Sequence, residues 1–382
     1  MSRHLFSNPL MILKKPNGCN AESRSSIFIK VPVLEIIKEA VKTKGEGRYR
    51  KLSKTAFLEE VGERAEILSK IPGLQEVELQ MLENISDSCE AVYRTCKDLI
   101  QSGGKRIRPI LVLTACQCFS PLNQDAIQIA VACELIHLAS LIHDDVIDQS
   151  DTRRNRPTVH TRLGNRISIL MGDYLFAKSF EILSKNRLTD SMQFIVKAIA
   201  EMCDGEIFQD ENRFNFNQTI EDYYKRIYQK TGVLMAACCQ AGAVAGKASA
   251  AEVKALESYG RNVGYAYQII DDILDFIGNE EILGKPTGCD LKEGHVTLPM
   301  LKLMENKKYK DWLQNLLNRK EDLSRYDGEI VKYLKESGAI EFSYREAAIC
   351  VDRAKKALYG IKDSPYKQFM MDLADQILMR MH

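Results

Sequence analysis

The chain has 382 residues, 45% of them hydrophobic, and 53 basic against 52 acidic side chains, a formal net charge of +1. That balance speaks against a nucleic-acid-binding surface or an acidic tail, and the apolar content suffices for one large compact domain. Eleven cysteines without a CxxC pair exclude a structural zinc cluster and a disulfide framework as organising features, and point to buried thiols in a reducing compartment.

Residues 1–65 form an extension of different character. Up to Leu34 it holds one acid, Glu22, against Arg3, Lys14, Lys15, Arg24 and Lys30. Basic, hydroxyl-rich and acid-poor composition fits an organelle transit segment (mitochondrion or plastid), or equally a disordered arm on a cytoplasmic protein. Residues 70–382 read as helix nearly throughout. Prolines sit at expected helix boundaries, as at Pro109, Pro121, Pro157 and Pro286, and strand-like alternation is missing. No uninterrupted apolar run reaches the ~18–20 residues of a membrane span, so a soluble or at most peripheral protein is expected. The segments 127–142 and 263–277 are apolar on more than one face and belong inside a bundle. The fold class is therefore all-α, a large single-domain helical bundle.

The stretch LIHLASLIHDDVID places Asp144, Asp145 and Asp148 at the carboxyl end of an apolar helix. Asp144 and Asp148 lie one turn apart on one face, where two carboxylates repel unless a cation sits between them. Hard oxygen donors of this kind suit Mg²⁺ shared with substrate phosphates. A single such cluster reads best as a solvated helix end. A second copy, Asp271, Asp272 and Asp275 in YQIIDDILDF, turns the pair into two facing metal-binding walls.

Cations accompany the acids. Gly103-Gly104-Lys105-Arg106-Ile107-Arg108-Pro109 combines glycines that let an anion approach the backbone with arginines whose planar fork fits phosphate. Arg153 and Arg154 follow the first cluster, and Lys230-Thr231-Gly232 and Lys285 are further candidates. His137 shares the helical face of Asp144, which makes it a diphosphate contact. His143 points elsewhere and reads as structural.

GGKRIRP, HLASLIHDDVIDQSDTRRNRPT, GDYLFAKSF, KTGVL, YQIIDDILDF and GKPTGCDLKEGHVTLP, in this order, resemble the trans-polyprenyl diphosphate synthase family from about Ile71 to the end. The resemblance implies an all-α bundle around a central cavity, usually a homodimer and in some members a heteromer. It implies that Asp144, Asp148, Asp271 and Asp275, with Asp145 and Asp272 as ligands or supports, hold a cluster of about three Mg²⁺ ions on an allylic diphosphate. Arg153, Lys230, Thr231, Gln268 and Lys285 would hold that diphosphate. Gly104, Lys105, Arg108, His137 and Arg154 would bind isopentenyl diphosphate. The reaction implied is departure of diphosphate, attack by the isopentenyl double bond and loss of a proton to the released diphosphate.

His295 stands where the family often carries lysine. Its protonated form is expected to contact the allylic diphosphate and to add a pH dependence near neutrality. Ala139 and Ser140 lie below Asp144, where bulky aromatics in the family stop growth early. Small residues there imply an open tunnel and a long product, in the range of quinone side chains. Rival readings are a geranylgeranyl diphosphate synthase blocked deeper, near Met171, a terpene cyclase, and a non-catalytic partner subunit.

Overall fold

A computed structural model describes residues 71–153, 156–278, 288–318 and 323–379. The extension 1–65, with its transit expectation, and Arg154, Lys285 and Pro286 lie outside the described residues. The elements run α1 (Leu74–Asn84), α2 (Glu90–Gln101), α3 (Ile107–Gln117), α4 (Gln124–Ile147), β1 (Thr152–Arg153), β2 (Arg156–Pro157), α5 (Val159–Leu163), α6 (Asn165–Lys185), α7 (Thr189–Glu211) and α8 (Ile220–Ile227). A π-helical turn, Tyr228–Gly232, leads into α9 (Val233–Ala245) and α10 (Ala250–Ile277). After these come α11 (Cys289–Lys292), α12 (Leu298–Met304), α13 (Lys307–Asn318), a 3-10 turn (Leu323–Tyr326), α14 (Asp327–Glu336), α15 (Ala339–Ala357) and α16 (Pro365–Met379).

Local chemistry sets the starts of the site-bearing helices. The Asn123 carboxamide accepts the Ala126 N–H and begins α4. Ser249 and Glu252 form a reciprocal capping box at the start of α10, and Thr219 with Asp222 does the same for α8. The two multi-faced apolar segments are central, as expected: α4 packs on α6 and α3, while α10 packs on α9 and α15. Pro109 occupies the first turn of α3, where its missing N–H costs nothing.

α4, 24 residues long, is apolar enough by length and composition to cross a membrane, although Gln128, Glu134 and His137 interrupt its apolar run. Of its most apolar 18-residue window 72% is buried inside the bundle, which makes it a core helix. A short hairpin also occurs, with Thr152 opposite Pro157 and Arg153 opposite Arg156. It follows the first acidic cluster directly and carries Arg153 back toward it.

Candidate active site

Both acidic clusters sit at carboxyl ends of long buried helices, and a third helix supplies what stands near them. On α7, Glu206 and Gln209 lie one turn apart and reach Lys230: its ammonium is 3.5 Å from Glu206 Oε2 and donates to Gln209 Oε1 at 3.3 Å. Lys230 lies in the π-helical turn, whose extra residue per turn re-aims side chains that a regular helix would place elsewhere. Burial pulls the lysine's pKa down, but Glu206, Asp144, Asp148 and Asp290 together outweigh it and hold the ammonium above its usual range. Lys230 is thus a permanent cation among carboxylates from three elements.

Asp144 is pushed up to about 6, first by burial and then by Glu206 and Asp148, against the opposing pull of Lys230 and Arg153. Asp148 is raised too, first by burial and then by Glu206, against Lys230, Arg153 and Arg213. Carboxylates that still feel each other beside a lysine form a site with an unmet demand for positive charge, and their oxygens are the donors Mg²⁺ prefers. Among the described residues, no three His, Cys, Asp or Glu side chains close on one point. An ion here would need water or phosphate oxygens to complete its shell, as Mg²⁺ commonly does.

The middle acid of each cluster is occupied by protein. Asp145 is buried and accepts a bond from Arg153 Nε at 2.8 Å. Asp272 is buried and accepts from Tyr223 Oη at 2.7 Å and Gln268 Nε2 at 2.9 Å. Gln268 in turn accepts from Thr231 Oγ1 at 2.8 Å. Asp145 and Asp272 therefore act as supports: one aims Arg153, the other fixes Gln268 and Thr231. Asp275, fully buried, accepts the Asp290 backbone N–H at 3.2 Å and ties α10 to the segment that begins α11. Asp271 is half-buried on the solvent side of the same helix end.

The second cationic group lies on the loop between α2 and α3. Gly103 and Gly104 have φ of 95° and 142°, a path that glycine takes without strain. Lys105 is exposed, and Arg108 is half-buried in the first turn of α3. The Arg108 Nε is buried without a hydrogen-bond partner, a donor suited to an anion. His137 is half-buried on α4, two turns before Asp144.

His295 differs from expectation. Burial first, then the fields of Lys230, Arg226 and Arg213, push its imidazole down to about 3, so it is neutral near pH 7. Its approach to Glu293, 3.7 Å, is consequently no ion pair, and its Nε2 lies 3.5 Å from Gln209 Nε2. A protonated contact with diphosphate is not prepared in this ligand-free site, because burial and the fields of those cations both disfavour the charged ring. His143 is structural as read: its Nε2 meets the Ile169 carbonyl at 3.0 Å, and a Cβ on Gly172 would fall 2.0 Å from that nitrogen. The residues missed by sequence reasoning are Glu206, Gln209, Tyr223, Arg226 and Asp290. For Glu206 and Gln209 a signal existed, two polar residues one turn apart on a long helix; for Tyr223 none did.

A family model described as polyprenyl synthetase matches residues 89–334. Component 2 of heptaprenyl diphosphate synthase from Geobacillus stearothermophilus is 42% identical over 277 residues, covering 72% of this chain and 86% of that protein. A short chain isoprenyl diphosphate synthase from Methanothermobacter thermautotrophicus is 37% identical, covering 78% and 94%. Among solved structures, the polyprenyl synthase from Caulobacter crescentus CB15 complexed with calcium and isoprenyl diphosphate superposes with a TM-score of 0.77 at 30% identity, covering 82% and 96%.

Proposed function

We propose that this chain, which belongs to the polyprenyl synthetase family and is a trans-prenyltransferase, condenses isopentenyl diphosphate with an allylic diphosphate to build a long polyprenyl diphosphate, a precursor of quinone side chains. The observation that carries this reading is the gathering of Asp144, Asp148, Glu206 and Asp290 around Lys230, beside the Thr231–Gln268–Asp272 chain.

Mg²⁺, in a cluster of about three ions on Asp144, Asp148, Asp271 and Asp275, would neutralise charge on the departing diphosphate. Lys230 stays protonated and holds diphosphate oxygens without acting as a base. Gln268 and Thr231, fixed by Asp272, and Arg153, aimed by Asp145, orient the same group, with Lys285 added from outside the described residues. The backbone at Gly104, with Lys105, Arg108, His137 and Arg154, holds the isopentenyl diphosphate so that its double bond faces the ionising carbon. The apolar helices exclude water from the allylic cation, and the proton lost after bond formation leaves with the released diphosphate.

Product length follows the space below Asp144. Ala139 is fully buried and the half-buried Ser140 donates its hydroxyl to the His137 carbonyl at 2.9 Å; what favours a long product is that both side chains are small. The similarity to a short chain isoprenyl diphosphate synthase favours a second reading, a short product, of which geranylgeranyl diphosphate is the one proposed. Incubation of the purified chain with Mg²⁺, farnesyl diphosphate and labelled isopentenyl diphosphate, followed by chromatography of the dephosphorylated products, separates them. A long polyprenol that shortens in the Ala139→Phe, Ser140→Phe double variant supports the open tunnel; geranylgeraniol from the unaltered chain overturns it. No product, with both substrates still binding, would make the chain a subunit needing a different partner, as the name component 2 says of the relative. Otherwise a homodimer is proposed, with a second copy on the exposed apolar run Leu163, Ile167 and Leu170 of α5 and α6, readable by sedimentation. The segment 1–65 is assigned as an organelle address, tested by fusing it to a reporter.

A further inference from the structure

We infer that Arg106 is the positioning residue of the isopentenyl diphosphate site: with Glu134 and Glu78 it clamps the glycine loop to α4 and α1, so that Lys105, Arg108 and His137 keep one spacing. The inference rests on the assignment of that site given above. Of the three cations in GGKRIRP, Arg106 is the one turned inward, 5% exposed. Its Nε donates to Glu78 Oε1 at 2.9 Å, its Nη1 to Glu134 Oε1 at 2.9 Å, and its Nη2 to the Ile100 carbonyl at the end of α2. Each guanidinium nitrogen thereby donates to a different helix, and burial keeps the rest of the fork away from a substrate.

The backbone supports the same role. Arg106 sits at φ 49° and ψ 35°, the left-handed region that a non-glycine residue occupies only when its surroundings over-determine it. The planar fork of arginine suits this: two carboxylates and a carbonyl on separate helices fix its plane as well as its charge. Position in the chain then gives the clamp its consequence. Arg106 stands between Lys105 and Arg108, and Glu134 lies one helical turn before His137 on α4. A single buried ion pair therefore sets the distance between the loop's cations and the histidine. The unpartnered Arg108 Nε marks the direction in which the clamped loop presents a donor.

Three variants test this, each assayed for the KM of isopentenyl diphosphate, the KM of farnesyl diphosphate and the thermal midpoint. Arg106→Lys keeps the charge and loses the fork. It should raise the isopentenyl diphosphate KM about tenfold, and leave the farnesyl diphosphate KM within about twofold. Glu78→Gln, at a carboxylate that keeps 18% of its side chain exposed, should shift it in the same direction by about threefold. Lys105→Ala monitors the site itself. If Lys105→Ala leaves the isopentenyl diphosphate KM unchanged, the site assignment fails and the clamp's function with it. If Lys105→Ala raises that KM while Arg106→Lys and Glu78→Gln lower only the thermal midpoint, or move both KM values equally, Arg106 is a stability residue and the inference is wrong. Should Arg106→Lys fail to fold, Glu78→Gln decides by the same two ratios.

Discussion

The carboxyl ends of α4 and α10 carry the same DDxxD spacing, yet the two ends are built differently. At the end of α4 the supporting acid Asp145 is buried but its partner reaches outward, and the Arg153 side chain keeps 38% of its surface exposed. At the end of α10 acid and partner are both sealed: Asp272 is 3% exposed, Asp275 is fully buried, and Tyr223 has no exposed surface. One end can shift its arginine toward a ligand at little cost. The other is a fixed wall whose buried hydrogen bonds hold Gln268 and Thr231 in place. A repeated motif thus yields one adaptable and one rigid side, and the difference comes from what each helix end packs against.

The largest expected effect is at the outer end. Asp144→Asn should lower turnover by about 10³-fold or more, since it removes a carboxylate oxygen from the proposed ion cluster. The same change should stabilise the ligand-free protein. The folded-state pKa of Asp144, about 6, lies above the ordinary 3.8, so the folded protein binds this proton more tightly than the unfolded chain does. The stability this contributes is present below pH 4 and lost as pH rises from about 4 to 6. The variant should therefore melt roughly 2–4 °C higher at pH 7 and no higher at pH 4. Equal melting at pH 7, or wild-type turnover, would refute this account of Asp144.

A smaller contrast sharpens the comparison between the ends. Tyr223→Phe leaves an Asp272 oxygen without its donor in the core and should cost about 1–3 kcal/mol in urea unfolding. Arg153→Ala removes a partly exposed partner and should cost less than about 1 kcal/mol. Equal costs would mean that the two ends do not differ in rigidity. The smallest effect concerns His295. Because its imidazole is already neutral, His295→Gln should give a pH–rate profile between pH 6 and 8 that superimposes on that of the parent; a lost or displaced limb would restore a protonated role for the ring.

Much of the site was readable in the order of residues. Asp144 and Asp148, one turn apart at the end of an apolar helix, declare a shared anionic face whatever surrounds them, because helix geometry alone aligns them. Lys230 was readable for its sequence context, though its partners Glu206 and Gln209 were not. The division of labour among neighbouring like residues was illegible. Nothing local separates Asp145 from Asp144, or Arg106 from Lys105. Arg106 meets Glu78 and Glu134, each 28 positions away, and Asp272 meets Tyr223 across 49. Such partners are chosen by packing, and period or spacing carries no trace of them.

By itself the sequence determined that the chain is helical, that 127–142 and 263–277 lie inside it, and that carboxylates and cations gather at the ends of those segments. Periodicity and composition suffice for that, since an apolar helix must be buried and a charge beside it must find a partner. Only the tertiary structure decided which charges those partners are. It turned Arg106 inward and Lys105 outward, spent Asp145 and Asp272 on protein, and buried His295 within the fields of cations, which keeps it neutral. The physical reason is that ion pairing and desolvation depend on distances of a few ångströms between elements far apart in the chain.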